Sequence, residues 1–512
     1  MTPVPLNMAN GVRQFARATP HDVAVRESDA ELTFAALDER SSRLASALLD
    51  RGLRPGDPVA LLSTNSTEYF EVATALAKAG LPLVPLNPRN SVTDNEFILG
   101  HSGARAAVVH GPLVENLAGL TDELAHLIGF GPGSDGVGEA YEQVIAEAEP
   151  RDPRVDVDET SPFAIAYTSG TTGRPKGVLL THRGRVLTAF GTAIEYGLGP
   201  GRRTIAVAPM YLGAGFSFAY AGPQLGGCTT VLPSWSAEQF LHLMARDRIQ
   251  SAFLVPTHAQ QIRRVSQQPT VSYDLSSLDT LYFNAAALPV RLKEWVIEAF
   301  ADVDIHELYG STEASVVTSL RPQDALRKAG SVGHAWFMNE VRLLDDDGNP
   351  VPPGQPGELF SRSPLLMGGY LHDEEATRRA TTEDGFVTVG DIAVADEEGF
   401  ISIVDRKKDM IIAGGINIYP REVEEVLAQL PEIDECAVVG VPDDTYGERV
   451  VALLVARGDR PIDTDAVERF VRSRVASYKV PREWHVTGAL PRNAGGKILK
   501  TAIRENYAAG TV

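Results

Sequence analysis

The chain reads Y-T-S-G-T-T-G-R-P-K-G-V from Tyr167 to Val178, directly after an apolar run at 163–166. Its glycines allow the backbone to approach an anion closely, and its hydroxyls and Lys176 can donate to phosphate oxygens. The stretch is not a Walker A loop, because Gly177 rather than Ser or Thr follows Lys176. A polar surface linker has no reason to follow a buried strand. The stretch therefore predicts a phosphate-binding turn at the end of a strand.

The composition is that of an ordinary globular protein. Its 512 residues suggest about two to four structural units. The net charge of -20 argues against a nucleic acid as partner. Cys228 and Cys436 lack the spacing of a disulfide framework or a zinc site. The N-terminus does not read as a signal peptide and no apolar run approaches the roughly 18 residues of a membrane span, so we expect a cytoplasmic protein without integral membrane association.

Short apolar runs alternate with amphipathic stretches up to about residue 320, and this alternation predicts parallel β-sheets covered by helices. Ser236 and Gln239 are expected to form a capping box on one helix. The predicted strands lie at 59–62, 106–109, 204–208, 252–255 and 280–283. The predicted helices lie at 34–49, 68–78, 237–246 and 290–300.

The pattern predicts an α/β fold with a large N-terminal domain at 1–404 and a small α+β C-terminal domain at 410–512. Turn-rich sequence at 330–404 indicates a β-rich subdomain. The charged segment D-R-K-K-D at 405–409 suits an exposed hinge between the two domains. In the C-terminal domain we expect helices at 421–429 and 464–475 and strands at 437–441 and 450–455.

A second motif, Y-G-S-T-E from Tyr309 to Glu313, combines an aromatic ring, a glycine, hydroxyls and a carboxylate. Such groups can stack on a purine, approach a phosphate and ligate Mg²⁺. With the glycine-rich stretch it resembles the ordered motifs of the adenylate-forming superfamily of acyl- and aryl-CoA synthetases, peptide-synthetase adenylation domains and luciferases. The resemblance covers residues from about 30 to 505. His306 and Glu307 resemble the H-E-x-Y-G variant of bacterial CoA ligases.

The resemblance implies an ATP-dependent carboxylic acid:CoA ligase that forms an acyl-adenylate, releases pyrophosphate and then forms a thioester and AMP. Its substrates would be ATP, CoA and a small-molecule carboxylic acid, with Mg²⁺ as cofactor. Glu313 would ligate the metal. The implied nucleotide-binding set is Thr168, Ser169, Gly170, Thr171, Thr172, Lys176, Asn284, Ala285, Ala286, Glu307, Leu308, Tyr309, Gly310, Ser311, Thr312, Asp391, Ile403, Arg406 and Lys497.

Within that set, the resemblance gives individual roles. Tyr309 would stack on adenine, and Thr312 would contact the α-phosphate. Asp391 and Arg406 match the ribose-binding pair, although Val389 stands where the family usually has threonine two residues before the aspartate. The implied catalytic residues are Lys497, Thr172 and Glu313, and the ammonium of Lys497 would stabilise charge at the α-phosphorus.

The same resemblance makes the C-terminal domain mobile. Lys408 matches the hinge position, and a solvated surface charge is the alternative for this lysine. The domain would swing from an adenylating pose to a thioester-forming pose, in which Gly414 and Gly415 would line the CoA tunnel.

The acid pocket departs from the family pattern. P-M-Y-L-G-A-G at 209–215 corresponds to P-x-F-H-x-x-G, so Leu212 stands in place of the usual histidine. The small-residue loop F-N-A-A-A-L-P at 283–289 would form one wall of the pocket. Both an aromatic and a medium-chain fatty acid remain open as substrates. The implied pocket comprises Tyr211, Leu212, Ala214, Phe216, Phe283, Asn284, Gly310 and Val316.

Two alternatives to CoA ligation remain open. An adenylating enzyme could pass the activated group to a carrier protein, an amine, or a nitrite and arylamine pair. A catalytically silent homologue is disfavoured, because such a protein has no need to keep Lys176, Glu313, Asp391, Arg406 and Lys497. The resemblance also implies a homodimer, because members of the family are often dimeric.

Overall fold

The computed structural model describes residues 4–121, 124–168, 175–266, 273–413, 416–443, 445–458, 460–492 and 498–511. The chain divides into two compact units. The first comprises Met1–Val341 and Ser361–Val387, and the second comprises Arg342–Phe360 and Thr388–Val512. The division lies before the segment 405–409, so the hinge at that segment stays a prediction.

Strands and helices alternate along most of the chain. In chain order, the strands up to residue 335 are β1 (Val23–Glu27), β2 (Ala30–Thr33), β3 (Val59–Leu62), β4 (Leu83–Leu86), β5 (Ala106–His110), β6 (His126–Phe130), β7 (Glu139–Ala140), β8 (Pro162–Thr168), β9 (Lys176–Thr181), β10 (Arg203–Ala206), β11 (Cys228–Val231), β12 (Ser251–Leu254), β13 (Thr280–Phe283), β14 (Asp304–Ser311), β15 (Ser315–Leu320) and β16 (His334–Ala335). The later strands are β17 (Glu340–Leu344), β18 (Pro356–Arg362), β19 (Val387–Ala395), β20 (Ile401–Arg406), β21 (Ile411–Ala413), β22 (Ile416–Ile418), β23 (Ile433–Asp443), β24 (Gly447–Ala456) and β25 (Glu483–Thr487).

The α-helices are α1 (Asn10–Ala18), α2 (Phe34–Asp50), α3 (Thr67–Ala79), α4 (Val92–Ser102), α5 (Tyr141–Glu147), α6 (His182–Tyr196), α7 (Gly213–Gln224), α8 (Ala237–Arg246), α9 (Pro256–Ser266), α10 (Val290–Ala299), α11 (Glu374–Ala380), α12 (Pro420–Leu427), α13 (Thr464–Arg472) and α14 (Lys500–Ala508). Short 3₁₀ turns lie at Gly111–Leu117, Pro322–Asp324 and Ser477–Lys479. Within the part of the chain that the structure describes, no helix is long and apolar enough to span a membrane.

Two large sheets form the first unit. One has seven strands in the order β7-β6-β5-β3-β4-β8-β9, parallel except for the antiparallel pair β8 and β9. The other has nine strands in the order β16-β15-β14-β13-β12-β10-β11-β1-β2, with a parallel centre and antiparallel edges. Every residue of β3, β12 and β13 is buried, as expected of central strands that helices cover on both faces. The predicted helix-covered parallel sheets are confirmed.

Local sequence signals set the ends of the helices. The Ser66 hydroxyl accepts a hydrogen bond from the Tyr69 N–H at the start of α3, and Gly80 ends this helix with φ of 68°. Thr181 caps α6 in the same way, and Gly197 ends it. At α8, the Ser236 hydroxyl accepts a hydrogen bond from the Gln239 N–H, which is the first half of the predicted capping box. The same hydroxyl donates to the carboxylate of Glu238, one residue before Gln239.

The β-rich segment forms a four-stranded sheet in the order β17-β18-β19-β20. Residues 361–387, including α11, return to the first unit. They do so because the backbone at 368–371 hydrogen-bonds to β9: Leu179 N–H donates to the Gly369 carbonyl at 3.0 Å, and Leu371 N–H donates to the Gly177 carbonyl at 2.8 Å. This return places residues 367–371 beside the start of β9.

The C-terminal part of the second unit contains the predicted mixture of helices and strands. Strand β24 pairs with β23 on one side and with β21 and β25 on the other. Apolar clusters cover both faces of this sheet, one including Val423 and Val467 and the other including Ile503. The predicted helices begin within one residue of α12 and α13 but extend too far at their C-terminal ends. The β21 and β22 hairpin and α14 were not predicted.

Candidate functional site

Glu313 lies in the turn between β14 and β15 and is held there by the surrounding chain. Only 9% of the residue is exposed. Its side-chain Oε1 accepts a hydrogen bond of 3.1 Å from the Tyr370 hydroxyl, and its carbonyl accepts one of 2.8 Å from the Met367 N–H. The Ser311 hydroxyl accepts from the Ala314 N–H at 3.0 Å and closes the turn. The carboxylate is therefore positioned before any ligand arrives.

Tyr370 connects this carboxylate to Lys176. The Lys176 Nζ lies 4.8 Å from the centroid of the Tyr370 ring, within the range of a cation–π contact. Burial and the neighbouring Glu313 raise the pKa of the Tyr370 phenol above its ordinary value. The phenol therefore keeps its proton at neutral pH and remains a donor to Glu313. The structure thus brings together two residues that are 137 positions apart, through a tyrosine that the sequence analysis did not identify.

The flanks of the predicted phosphate-binding turn are also defined. Strands β8 and β9 are antiparallel, and Thr168 lies opposite Lys176 in their register. The Tyr167 hydroxyl, one residue earlier, is 2.8 Å from His101 Nδ1. The two ends of the turn are thereby held side by side. The predicted site residues Ser169, Gly170, Thr171 and Thr172 lie outside the described residues, as do Gly414, Gly415 and Lys497.

Gly310 can only be a glycine in this structure. A Cβ atom at this position would lie 1.9 Å from the Ser315 carbonyl oxygen, because the register of β14 and β15 shifts between Tyr309 and Gly310. This irregularity leads into the turn that carries Thr312 and Glu313. The glycine therefore sets the direction of the whole Y-G-S-T-E motif.

The first residues of α7 approach the same turn. A Cβ atom on Gly213 would lie 3.8 Å from Thr312 Oγ1. Leu212, which precedes α7, keeps 40% of its surface exposed. Tyr211, Leu212 and Phe216 line a cavity under the start of this helix. The predicted acid-pocket stretch therefore lies beside the predicted phosphate contact at Thr312.

Other predicted pocket residues are part of the core. Phe283 is 1% exposed and Val316 is 5% exposed, and they belong to different apolar clusters. After β13, Asn284 Oδ1 accepts from the Ala285 N–H at 2.6 Å, and Ala285 adopts φ of 71°. The residues at 285–287 are exposed, so this loop offers small side chains at the carboxyl end of the sheet.

Two residues predicted to bind the nucleotide are buried within β14. Leu308 is part of an apolar cluster. The Glu307 carboxylate forms an ion pair with the fully buried Lys293. Of the H-E pair, His306 is also buried, and burial lowers the pKa of its imidazole. These side chains support the strand, and the nucleotide-binding roles of Glu307 and Leu308 stay predictions.

In the second unit, the structure brings Asp391 and Arg406 together. They lie opposite each other in the antiparallel pair β19 and β20, and Arg406 Nε is 3.1 Å from Asp391 Oδ1. Gly390 has φ of 78°, and its carbonyl accepts from the Lys407 N–H at 2.7 Å. Ile403 lies on the same strand, opposite Ala393. The predicted ribose-binding pair is therefore adjacent, with a carboxylate whose position the arginine fixes.

The charged segment at 405–409 is only partly exposed. Asp405 is buried and accepts hydrogen bonds from the N–H groups of Arg406 and Arg421. Lys407 and Lys408 are exposed, and Lys407 forms ion pairs with carboxylates of the β17 and β18 region. Lys408 is exposed, and its role as the hinge stays a prediction.

Comparison with known proteins identifies the family of the chain. A family model described as AMP-binding enzyme matches residues 12–371, and one described as AMP-binding enzyme C-terminal domain matches residues 422–497. The chain is 37% identical to a feruloyl-CoA synthase of Amycolatopsis sp., over 96% of this chain and 97% of the relative. It is 33% identical to an indoleacetate–CoA ligase of Aromatoleum aromaticum, over 99% of both chains.

A solved structure shares the fold. The amide bond synthetase McbA from Marinactinospora thermotolerans superposes with a TM-score of 0.86 at 28% identity, covering 98% of this chain and 99% of McbA. The two structures have the same architecture, although McbA is named an amide bond synthetase and the relatives above are named a CoA synthase and a CoA ligase. The acceptor is therefore a separate question from the fold.

Proposed function

Because this chain belongs to the AMP-binding enzyme family, we propose that it is an AMP-forming acid–CoA ligase that activates an aromatic carboxylic acid in two steps. The observation that carries the proposal is the Lys176–Tyr370–Glu313 arrangement beside Thr312. It gathers a cation, a fixed carboxylate and a hydroxyl next to a cavity that the acid-pocket stretch lines. The aromatic class is supported by the feruloyl- and indoleacetate-CoA ligases that the chain resembles.

In the first step, a carboxylate oxygen of the acid attacks the α-phosphorus of ATP. A new oxygen–phosphorus bond forms, the bond from the α-phosphorus to the bridging oxygen breaks, and pyrophosphate leaves with the electron pair. The acid is already a nucleophile, so this step depends on positioning and on stabilisation of negative charge. Lys176 and Thr312 would bind phosphate oxygens, and Lys497 would supply a second cation at the reacting phosphorus.

Magnesium fits this site. The Glu313 carboxylate is a hard oxygen ligand, and Tyr370 fixes its orientation through one of its oxygens. Within the described residues, no group of three or more His, Cys, Asp or Glu side chains could hold a metal ion. A single carboxylate together with the phosphates of the substrate is the usual way in which Mg²⁺ is held. The ion would neutralise phosphate charge when bound.

In the second step, the CoA sulfur attacks the acyl carbon of the adenylate. A carbon–sulfur bond forms, the carbon–oxygen bond to AMP breaks, and the thiol proton passes to solvent. We propose that Lys408 is the hinge for this step and that Gly414 and Gly415 line the path of the thiol. Asp391 would accept from the ribose hydroxyls, with Arg406 holding its carboxylate in place.

Two observations support a second acceptor. The fold matches that of an amide bond synthetase, and Leu212 replaces the histidine usual in the acid pocket of the family. An amine would then attack the same acyl carbon, and AMP would leave in the same way. This candidate shares the first step and differs only in the nucleophile of the second.

The test is to incubate the purified protein with Mg·ATP and a panel of aromatic, fatty and amino acids, with and without CoA, and to measure pyrophosphate and product mass. We expect an aromatic acyl-CoA. Aromatic acyl-AMP that ignores CoA but reacts with added amines would favour the second candidate. Absence of pyrophosphate with every acid would contradict both.

Location and assembly are proposals of the same kind. We propose a cytoplasmic enzyme, in keeping with two cysteines that form no disulfide with each other. A homodimer is the proposed assembly, and light scattering of the purified protein at several concentrations tests it. A mass of 55.1 kDa at all concentrations would contradict the dimer.

A further inference from the structure

Lys293, the fourth residue of α10, is a fully buried cation. None of its side chain is exposed. Its ammonium forms an ion pair with the Glu307 carboxylate of β14 and donates a hydrogen bond of 3.3 Å to the Ala325 carbonyl. Ala325 directly follows the 3₁₀ turn Pro322–Asp324, which comes after β15. One ammonium therefore joins three segments of the first unit: α10, β14 and the chain beyond β15.

The neighbours of this ion pair are apolar. In the register of the sheet, Glu307 lies between Phe283 of β13 and Leu320 of β15, which are 1% and 0% exposed. On α10, Leu292 and Val296 are buried next to Lys293. The two charges therefore face each other in the layer between the sheet and its covering helix, away from bulk water.

Stability alone is a poor explanation for such a pair. Both charges lose their hydration, and apolar residues of similar volume are often at least as stabilising. The position on α10 adds to the cost, because the first turn of a helix carries partial positive charge and disfavours a cation. An ion pair does supply one defined geometry, since a charge-assisted hydrogen bond is short and directional. The pair is therefore better explained by the positions that it fixes.

The joined segments carry two parts of the predicted nucleotide site. The Lys293 N–H donates to the Pro289 carbonyl at 2.9 Å, and Pro289 ends the small-residue loop after β13. Two residues beyond Glu307, β14 reaches Tyr309, which is predicted to stack on adenine. The register of β14 and β15 shifts at the next residue, Gly310. Lys293 thus connects to the small-residue loop through its backbone and to the Y-G-S-T-E strand through its side chain.

We propose that Lys293 is a positioning residue for ATP: through Glu307 it fixes the distance between the small-residue loop and the Y-G-S-T-E motif, the two surfaces predicted to enclose the adenine base. The inference rests on the proposed function, since it concerns the nucleotide of the same site. Lys293 itself would not contact ATP. Lys176, the predicted phosphate ligand, lies in the other large sheet, so loss of the ion pair should weaken binding of the base more than binding of the phosphates.

The test replaces both charges with apolar side chains of similar size, Lys293→Met together with Glu307→Leu. This double variant leaves no charge of the pair behind, so its melting temperature is expected to equal or exceed that of the wild type. Calorimetric titration without acid or CoA measures the Kd for Mg·ATP and for Mg·tripolyphosphate, which offers phosphates without a base. We expect the Kd for ATP to rise by about 10-fold in the double variant, with a much smaller change for tripolyphosphate.

The single variant and a matched control separate positioning from stability. Lys293→Met alone leaves the Glu307 carboxylate without its ammonium, so it is expected to lower the melting temperature as well as the affinity for ATP. The control is Lys78→Met, because Lys78 is also fully buried and pairs at 2.6 Å with Asp38, joining α3 to α2. We expect this control to lower the melting temperature and to keep the wild-type Kd for ATP.

Three results would overturn the inference. A folded double variant with the wild-type Kd for ATP would show that the pair positions nothing for the nucleotide. Equal loss of affinity for ATP and tripolyphosphate, in the double variant or in the control, would indicate a general effect of substitution. A double variant that does not fold would assign the pair to stability. Wild-type protein that binds ATP but releases no pyrophosphate with any acid would instead contradict the proposed function, and the binding comparison would still decide the role of Lys293.

Discussion

Tyr370 holds the Glu313 carboxylate through one hydrogen bond and covers Lys176 with its ring. Tyr370→Phe removes the first interaction and keeps the second. We expect kcat/KM for ATP in acyl-adenylate formation to fall by about 10–100-fold, because a hydrogen bond to a charged group contributes roughly 1.5–3 kcal/mol. Tyr370→Leu should lower it further. Pyrophosphate release measures both, with the exposed Tyr446 changed to Phe as control. Equal activity of Tyr370→Phe and wild type would remove Tyr370 from the site.

His258 makes stability depend on pH. Burial lowers the pKa of this imidazole to about 4, while the unfolded chain keeps a value near 6.5. Between these values the unfolded state binds a proton that the folded state does not, so stability is full above pH 6.5 and falls as the pH drops towards 4. By pH 5 the loss is about 2 kcal/mol.

His258→Phe keeps the ring against Trp235, which lies 4.0 Å away between centroids, and removes the titrating group. We expect the urea midpoint of the variant to change less between pH 7 and pH 5 than that of the wild type. Burial and the nearby Arg13 lower the pKa of His182 to about 4. Because His182 is present in both proteins, it makes the same contribution to the pH dependence of stability in each. Parallel pH profiles would show that His258 does not titrate as described.

At the scale of the element, the strand pair β14 and β15 sets the direction of the Y-G-S-T-E turn, and its register shifts at Gly310. Gly310→Ala would place a methyl group 1.9 Å from the Ser315 carbonyl, and backbone must move to admit it. We expect a loss of adenylation of at least about 100-fold, since small displacements of reacting groups carry large kinetic costs. Gly100→Ala in α4, where a Cβ meets nothing within 4 Å, is the control and should stabilise the helix slightly. Full activity of Gly310→Ala would contradict the assigned role.

The sequence predicted elements well where a buried run had clear ends. Strands β3 and β13 and helix α8 have the predicted bounds, because apolar residues fill the strands and Ser236 caps the helix. The hairpin of β21 and β22 was missed because strands of three residues carry too little pattern. Helix α14 follows a glycine-rich stretch of sequence and has only one buried residue, Ile503, to reveal its inner face.

The candidate site was predictable only where the chemistry lay within one motif. Short sequence motifs pointed to Glu313 and to Lys176. They also pointed to Asp391 and Arg406, which lie opposite each other on neighbouring strands. No such motif pointed to Tyr370, because its role depends on a return of the chain to β9 that has no sequence pattern.

At the scale of the whole molecule, the two half-reactions are proposed to need different parts of the chain. Lys497→Ala should abolish acyl-AMP formation from ATP, because the cation at the reacting phosphorus is lost. The same variant should still convert supplied acyl-AMP and CoA to the thioester. Rapid-quench measurement of each half-reaction checks this. Equal loss in both would contradict the role of Lys497, and exchange of the neighbouring Lys500 for Ala is the control.

The central claim is that the acid becomes covalently joined to AMP before it meets its acceptor, and isotope transfer tests it most directly. The acid is supplied with ¹⁸O at both oxygen positions of the reacting carboxylate, together with Mg·ATP and CoA. The masses of the products are then measured by mass spectrometry. One labelled oxygen is predicted in AMP and the other in the thioester. Label in free phosphate, or AMP without label, would contradict an acyl-adenylate.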